Sequence, residues 1–203
     1  MFLRTASFLF LLSVTLSVAP ALPVFGQATS ADIRALLQER DRSIKQLLGK
    51  EGDITDAQRD ELRLAVNDFI DFREMGMVAL GPHWDELSTD QQDTFVQVFG
   101  DIVRHQSLAN LDVYRSSVTY DEITVDGDRA TVLTTTTHKD IPMVVAYELI
   151  RKGDAWFAWD IILDEVSTVG GYSRSFQTVI RKRGFDSLMT SLNKRLDSIR
   201  TES

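Results

Sequence analysis

The sequence has no cysteine, so no disulfide framework can brace the fold, which must be held by buried apolar surface alone. Histidine is scarce as well. His83, His105 and His138 fall in separate segments, in neither a metal-binding nor a triad-like spacing, and read as solvated or hydrogen-bonded single residues. No glycine-rich phosphate loop occurs: Gly170-Gly171 precedes a helical segment but lacks the lysine and flanking glycines that such loops need. Positive charge is in deficit, with 22 Lys and Arg against 30 Asp and Glu and a formal charge of −8. That balance disfavours nucleic acid and anionic membrane surfaces as partners. The apolar stretch Phe8 to Val18 is too short to span a bilayer.

What is there begins with that stretch. It follows the basic start Met1-Phe2-Leu3-Arg4 and runs, past Pro20 and Pro23, to the small residues of Gly26-Gln27-Ala28, the pattern of a secretory signal removed by a peptidase. Residues 1–28 are therefore expected to be cleaved, leaving 29–203 as a single exported domain. From Ser30, Ile33, Leu36, Leu37, Ile44, Leu47 and Leu48 keep three- and four-residue intervals, which predicts an amphipathic helix capped by Ser30 or Asp32. Thr55-Asp56-Ala57-Gln58 opens a second helix carrying Leu62, Val66, Phe69 and Ile70, with apolar content continuing to Gly81-Pro82. Ser88-Thr89-Asp90-Gln91 opens a third, with Phe95, Phe99, Ile102 and Val103.

After Tyr114 the period changes to two. Val118–Val125, Ala130–Thr137, Met143–Ile150 and Trp156–Leu163 read as four strands joined by short turns. Helical spacing returns with Tyr172, Phe176, Val179 and Ile180, and again from Phe185 to Ile199. Helices, four strands, then helices is the order of an α+β domain: a curved antiparallel sheet packed with N- and C-terminal helices.

The strand Trp156–Leu163 decides what kind of domain this is. Both of its residue parities are apolar, so both faces must be covered, one by ordinary core and the other by more helices or by something that is not protein. Facing it are the bulky groups of Phe95, Phe99, Val145, Tyr147, Leu149 and Phe176, enough to build a cavity for an apolar ligand. Of the two parities, Phe157, Trp159 and Ile161 are expected to face that cavity, with Trp156, Ala158 and Ile162 in conventional core. Two other readings stand beside this one. Asp160, paired with Tyr147 or Tyr120, could serve as the general base of a small isomerase or dehydratase of the nuclear-transport-factor-like type. A structural adaptor of the cell envelope would need no cavity at all.

One stretch adds a resemblance. Leu80-Gly81, Trp84, Thr89-Asp90-Gln91-Gln92 and Phe95-Val96-Gln97-Val98-Phe99 resemble the signature of the MlaC (toluene-tolerance) family of periplasmic phospholipid-binding proteins. Trp156-Phe157-Ala158-Trp159-Asp160 with Glu165-Val166-Ser167, and Ser175-Phe176 with Ile180–Leu188, resemble the family's tryptophan strand and closing helices. The likeness runs from about Ala31 to Leu196. Glu165 departs from it where glycine is usual, Ser107 where an aromatic is common, and the lysine-rich end is shortened to Arg195–Ser203. The resemblance implies a non-enzymatic, cofactor-free and metal-free shuttle that helps maintain outer-membrane lipid asymmetry. It would be a monomer exchanging phospholipid with an outer-membrane lipoprotein complex and with an inner-membrane ABC transporter complex containing an MCE-type lipid-binding protein. The residues expected to hold its acyl chains are Phe69, Trp84, Phe95, Phe99, Val103, Val145, Tyr147, Leu149, Trp159, Ile161, Tyr172 and Phe176.

Overall fold

Three capping boxes start three of the helices, each with a Thr or Ser side chain accepting from the N3 amide and an N3 side chain answering the cap's own N–H. Thr29, one residue before the expected cap, begins α1 (Ser30–Leu48) with Asp32. Thr55 and Gln58 begin α2 (Asp56–Asn67), and Ser88 and Gln91 begin α4 (Thr89–Ser107). Between them the chain breaks at Asp68–Asp71 and restarts as a separate helix, α3 (Phe72–Leu80), capped by Asp71 and followed by a single 3₁₀ turn, Gly81–His83. A short α5 (Asp112–Arg115) leads into the strands β1 (Val118–Asp126), β2 (Arg129–His138), β3 (Ile141–Lys152), β4 (Ala155–Leu163) and β5 (Val166–Ser167), and α6 (Thr168–Arg183) and α7 (Phe185–Glu202) close the chain. This computed structural model describes residues 29–202 apart from positions 50, 51, 53, 109, 110, 139 and 140; the proposed signal, 1–28, lies outside them.

The sheet is antiparallel in the order β1-β2-β3-β4-β5, with five strands where four were expected. The fifth is only two residues long and arises because the chain doubles back at Asp164-Glu165, both at positive φ (44° and 68°). Such a two-residue turn suits glycine or asparagine. Here Asp164 is held in it by accepting a hydrogen bond from the Val144 N–H at 3.0 Å.

Two bulges shape the sheet. Along β1 the register skips Asp121, and along β4 it skips Trp159. Skipping one residue reverses the parity of everything after it. One face of the sheet therefore carries Val118, Tyr120, Ile123 and Val125 from β1, and Thr136, Thr134, Val132 and Ala130 from β2. From β3 and β4 it carries Met143, Val145, Tyr147 and Leu149, and Leu163, Ile161, Ala158 and Trp156. The expected division of β4 into one ligand-facing and one core-facing parity is corrected here: Trp156 and Ala158 share a face with Ile161 because the bulge lies between them.

Half of this inner face is filled. Ala130, Val132, Leu149, Trp156 and Ala158 pack with Ile33 and Leu37 of α1 and with Phe69. The outer edge of β4 is covered at the same level, since Ala158 donates its N–H to Phe69 O (2.7 Å) and accepts from Asp71 N–H (2.8 Å). The segment between α2 and α3 thus acts as an extra edge partner, and β5 covers the rest of the edge. A second core lies among α3, α4, α6 and α7, where Phe95 stacks on Phe99 at 5.4 Å and both meet Phe176 edge-on at 5.9 and 5.5 Å. The α3–α4 approach is close enough that a Cβ on Gly76 would stand 3.0 Å from the Phe95 ring.

Two buried carboxylates join the helices to the sheet. Glu74 of α3 receives Arg129 of β2 at 2.7 Å. Asp160, on the face of β4 opposite Ile161, accepts from Ser167 Oγ (2.5 Å), from the Val169 N–H (3.0 Å) and from its neighbour Ile161 N–H (2.8 Å). It thereby anchors the N-terminus of α6, where a negative charge is favoured by the helix dipole. Replacing Asp160 with alanine strips three donors of their acceptor and should cost roughly 2–4 kcal/mol, and Asp160→Asn roughly half of that. Urea unfolding measures it; an unchanged midpoint for Asp160→Ala would show that the anchor is dispensable.

Candidate functional site

Beyond the bulges the inner face of the sheet is not covered by side chains. Between it and the helices lies a cavity of about 510 Å³. Its floor is Val118 and Tyr120, Thr134 and Thr136, Met143, Val145 and Tyr147, and Ile161 and Leu163. Its walls are Leu37, Arg40, Asp41 and Ile44 of α1, Ala65 and Val66 of α2, Phe69 and Ile70, and Val103, Gln106 and Ser107 of α4, with Val113 and Tyr114 of α5. One row of the floor runs from the interior to the surface: Thr134, Val145, Leu163 and Val166 are cross-strand neighbours, exposed to 1, 6, 42 and 62 % respectively. The cavity therefore continues into an apolar edge that meets water.

Many lining residues carry hydroxyls, yet their polarity is turned away. Thr134 donates to Val145 O (2.9 Å), Thr136 to Ser117 O (3.0 Å) and Thr168 to Ile161 O (2.7 Å). Ser107 donates to Arg104 O (2.9 Å) and Tyr114 to Ser107 O (2.8 Å). With these hydroxyls committed to carbonyls of the wall, what a threonine offers a ligand is its methyl group, and the phenols of Tyr120 and Tyr147 remain as polar groups of the lining. Gln106 is engaged in the same way, its amide oxygen accepting from Tyr172 Oη. Asp41 is bonded by Lys45 at 2.7 Å. Arg40 remains: one Nη donates to Ala65 O at 3.2 Å, its guanidinium carbon sits 4.8 Å above the Phe69 ring, and burial lowers its pKa, with Asp68 acting in the opposite direction.

Of the residues expected to hold acyl chains, Phe69, Val103, Val145, Tyr147 and Ile161 line this cavity. The others lie elsewhere. Phe95, Phe99, Phe176 and Trp84 belong to the helical core, because the aromatic stripe of α4 meets α3, α6 and α7 rather than the sheet. Tyr172 and Phe176 border a separate, more open cleft of about 450 Å³ between α4, α6 and α7. Leu149 is fully buried in the filled half of the inner face. Trp159, the bulge residue, lies under the Arg129 guanidinium at 5.5 Å and not in the cavity, while Trp156 is the tryptophan on the inner face. Phe157 likewise falls on the outer face, opposite Ile150. Sequence reasoning passed over Arg40, Val118, Thr134, Thr136, Met143 and Leu163. The alternation of β1 to β3 contained most of them, but only the register tells which parity is the inner one.

The proposed general base is also displaced. Asp160 pairs with Glu148 and Tyr147 with Ile161, so the two side chains leave opposite faces of the sheet. Asp160 is already engaged at the start of α6.

Comparisons agree with this architecture. A family model described as MlaC protein matches residues 37–194. Among solved structures, a phospholipid-binding protein from Ralstonia solanacearum, determined in complex with a phospholipid, superimposes with a TM-score of 0.68 at 20 % identity, over 84 % of this chain and 98 % of that one. At that identity the likeness speaks for the fold. A search of curated protein sequences finds no match.

The tyrosines report how dry the region is. Burial pushes Tyr114 and Tyr120 up to about 12, helped by Tyr147 for the first and by Asp41 and Tyr147 for the second, with Arg34 opposing in the latter. Burial, then Asp41, raises Tyr147 against a hydrogen bond with Thr134, and burial raises Tyr172 against Arg195. The folded state keeps these phenols neutral where an unfolded chain would ionise them near pH 10, so their contribution to stability is present below pH 10 and is lost as pH rises toward 12. An alkaline titration followed at the phenolate absorbance should show Tyr114 and Tyr120 still neutral at pH 10 and each of the four tyrosines ionising at higher pH in the folded protein than in the unfolded chain. A tyrosine titrating near 10 in the folded protein would contradict this.

Proposed function

We propose, from the premise that this chain belongs to the MlaC family, that it is a phospholipid-binding protein whose ligand's acyl chains occupy the cavity between the sheet and helices α1, α2, α4 and α5. The observation that carries the reading is the wall itself, which is mostly apolar and whose Thr134, Thr136, Thr168 and Tyr114 hydroxyls donate to backbone carbonyls. Such a space attracts alkyl chains and not water, because each methylene withdrawn from water is worth ~0.8 kcal/mol. The same figure supplies the reason for a carrier: a lone phospholipid in an aqueous compartment exposes every methylene of its tails, and covering them removes most of the barrier to crossing. No bond needs to be broken, and we read the protein as a binder and not an enzyme.

On this reading the chain is a periplasmic shuttle, and residues 1–28, with their basic start, short apolar run and Gly26-Gln27-Ala28, are its cleaved signal. Its partners would be the outer-membrane lipoprotein complex and the inner-membrane ABC transporter complex that family membership implies. The apolar row ending at Leu163 and Val166 is where a lipid tail would pass between cavity and partner.

Purified protein extracted with organic solvent should yield roughly one phospholipid per chain by mass spectrometry. Ile161→Glu, which sets a charge among hydrocarbon at a cost of several kcal/mol, should strip that lipid from a protein that remains folded. Trp159→Glu and Asp160→Asn, both away from the cavity, should keep it. Absence of lipid from the wild type, or its loss with Asp160→Asn and not with Ile161→Glu, would remove the carrier reading. N-terminal sequencing of protein recovered from the periplasm should begin at or near Thr29; a chain starting at Met1 would refute the assigned location.

A further inference from the structure

Among the described residues, the cavity wall presents a single cation. Among the residues lining it, Arg40 is the only Lys, Arg or His, and among the described residues it makes no ion pair. Asp68 acts on it at longer range, and its sequence neighbour Asp41 is taken by Lys45. A guanidinium has five N–H donors. Ala65 O uses one of them, and Nε is enclosed without a partner. Among the described residues no acceptor for the remaining donors is found. The Phe69 ring beneath the guanidinium holds its plane in place, as aromatic faces do for arginine.

A charge kept beside hydrocarbon, with the adjacent carboxylate of Asp41 taken by Lys45, is unfavourable unless something answers it. Removing the charge would have been simple: methionine at this position would preserve the apolar stem and its contact with Phe69. An arginine whose open donors lie at the boundary of an apolar cavity matches an amphiphile with alkyl tails and an anionic oxygen cluster, and a phosphodiester accepts from two guanidinium N–H groups at once. Arg40 is only partly buried, so a headgroup that meets it stays in touch with water.

We propose that Arg40 binds the phosphate of the lipid headgroup and is the residue by which the cavity distinguishes phospholipids from uncharged diacyl lipids. This deepens the phospholipid-binding reading and rests on it. The polar end of the ligand then lies between α1 and the end of α2, with its tails directed over the sheet.

The test offers the protein a choice within one membrane. Vesicles containing equal amounts of dioleoylphosphatidylglycerol and dioleoylglycerol in a phosphatidylcholine background are incubated with full mature protein, and the lipid carried off is identified by mass spectrometry. Wild type should prefer the phosphatidylglycerol by about tenfold or more, the range of a charge-assisted hydrogen bond. Arg40→Met should bring the ratio close to one by lowering phosphatidylglycerol uptake far more than diacylglycerol uptake, and Arg40→Lys should restore part of the preference. A merely structural role for Arg40 would lower uptake of both lipids together, and that result overturns the proposal, as does an Arg40→Met protein that keeps the wild-type ratio. Inorganic phosphate at millimolar concentration should not displace bound lipid, since it has no tails to fill the cavity; displacement would sink the headgroup assignment. Wild-type protein that takes up neither lipid would refute the phospholipid reading itself, whereas uptake of both without preference refutes only the role of Arg40.

Discussion

The unpaired residue Trp159 is the point on which the rest of the architecture turns. Because β4 skips it, Trp156 and Ala158 come to the same face as Ile161 and Leu163, and an all-apolar strand lays its largest side chains on both halves of one surface. The half before the bulge is closed by α1 and Phe69; the half after it stays open as the floor of the cavity. The bulge also places Ala158 so that its amide and carbonyl bond the chain between α2 and α3, which brings Phe69 inward and fixes where α3 begins. A regular strand would have offered neither the edge nor the change of phase.

The second determinant is the use of threonine. A β-branched residue suits a strand, but the four consecutive threonines of β2 would seem to make a wet surface. The structure separates them by parity. Thr134 and Thr136 face inward and donate to backbone carbonyls, while outward-facing Thr135 bonds the bulge residue Asp121 at 2.7 Å. The same composition thus supplies an apolar wall on one side and a pinned bulge on the other. Against that wall the charge of Arg40 is the exception, as the one Lys, Arg or His among the described lining residues.

The core of α3, α4, α6 and α7 meets the ligand space only through Met75 and Val103, its Phe95, Phe99 and Phe176 rings standing behind them, and it holds the roof in position. α4 contributes Phe95 and Phe99 to that core and Val103, Gln106 and Ser107 to the cavity, so packing on one side of the helix fixes geometry on the other. Glu74 with Arg129, and Asp160 with the start of α6, tie that layer to the outer face of the sheet. A cavity that must stay empty of side chains cannot stabilise itself, and its stability has to come from such surrounding contacts.

Local chemistry in the sequence determined the helix starts at Thr55 and Ser88, the two-residue period of β1 to β4, and the α+β order, because caps and periodicities depend only on residues a few positions apart. The resemblance carried by Leu80-Gly81, Trp84 and Phe95-x-x-x-Phe99 was legible for the same reason. The cavity was not. Whether an apolar side chain meets another side chain or open space depends on strand register and on which helix crosses above it, and a one-residue skip at Asp121 or Trp159 inverts every parity that follows. That is why Phe95, Phe99 and Phe176 read as ligand contacts but lie in core, and why Trp159, expected in the cavity, lies outside it under Arg129. It is also why Arg40, one arginine among several on an amphipathic helix, became distinctive only once the tertiary structure set it beside Phe69 at the edge of a hydrocarbon wall.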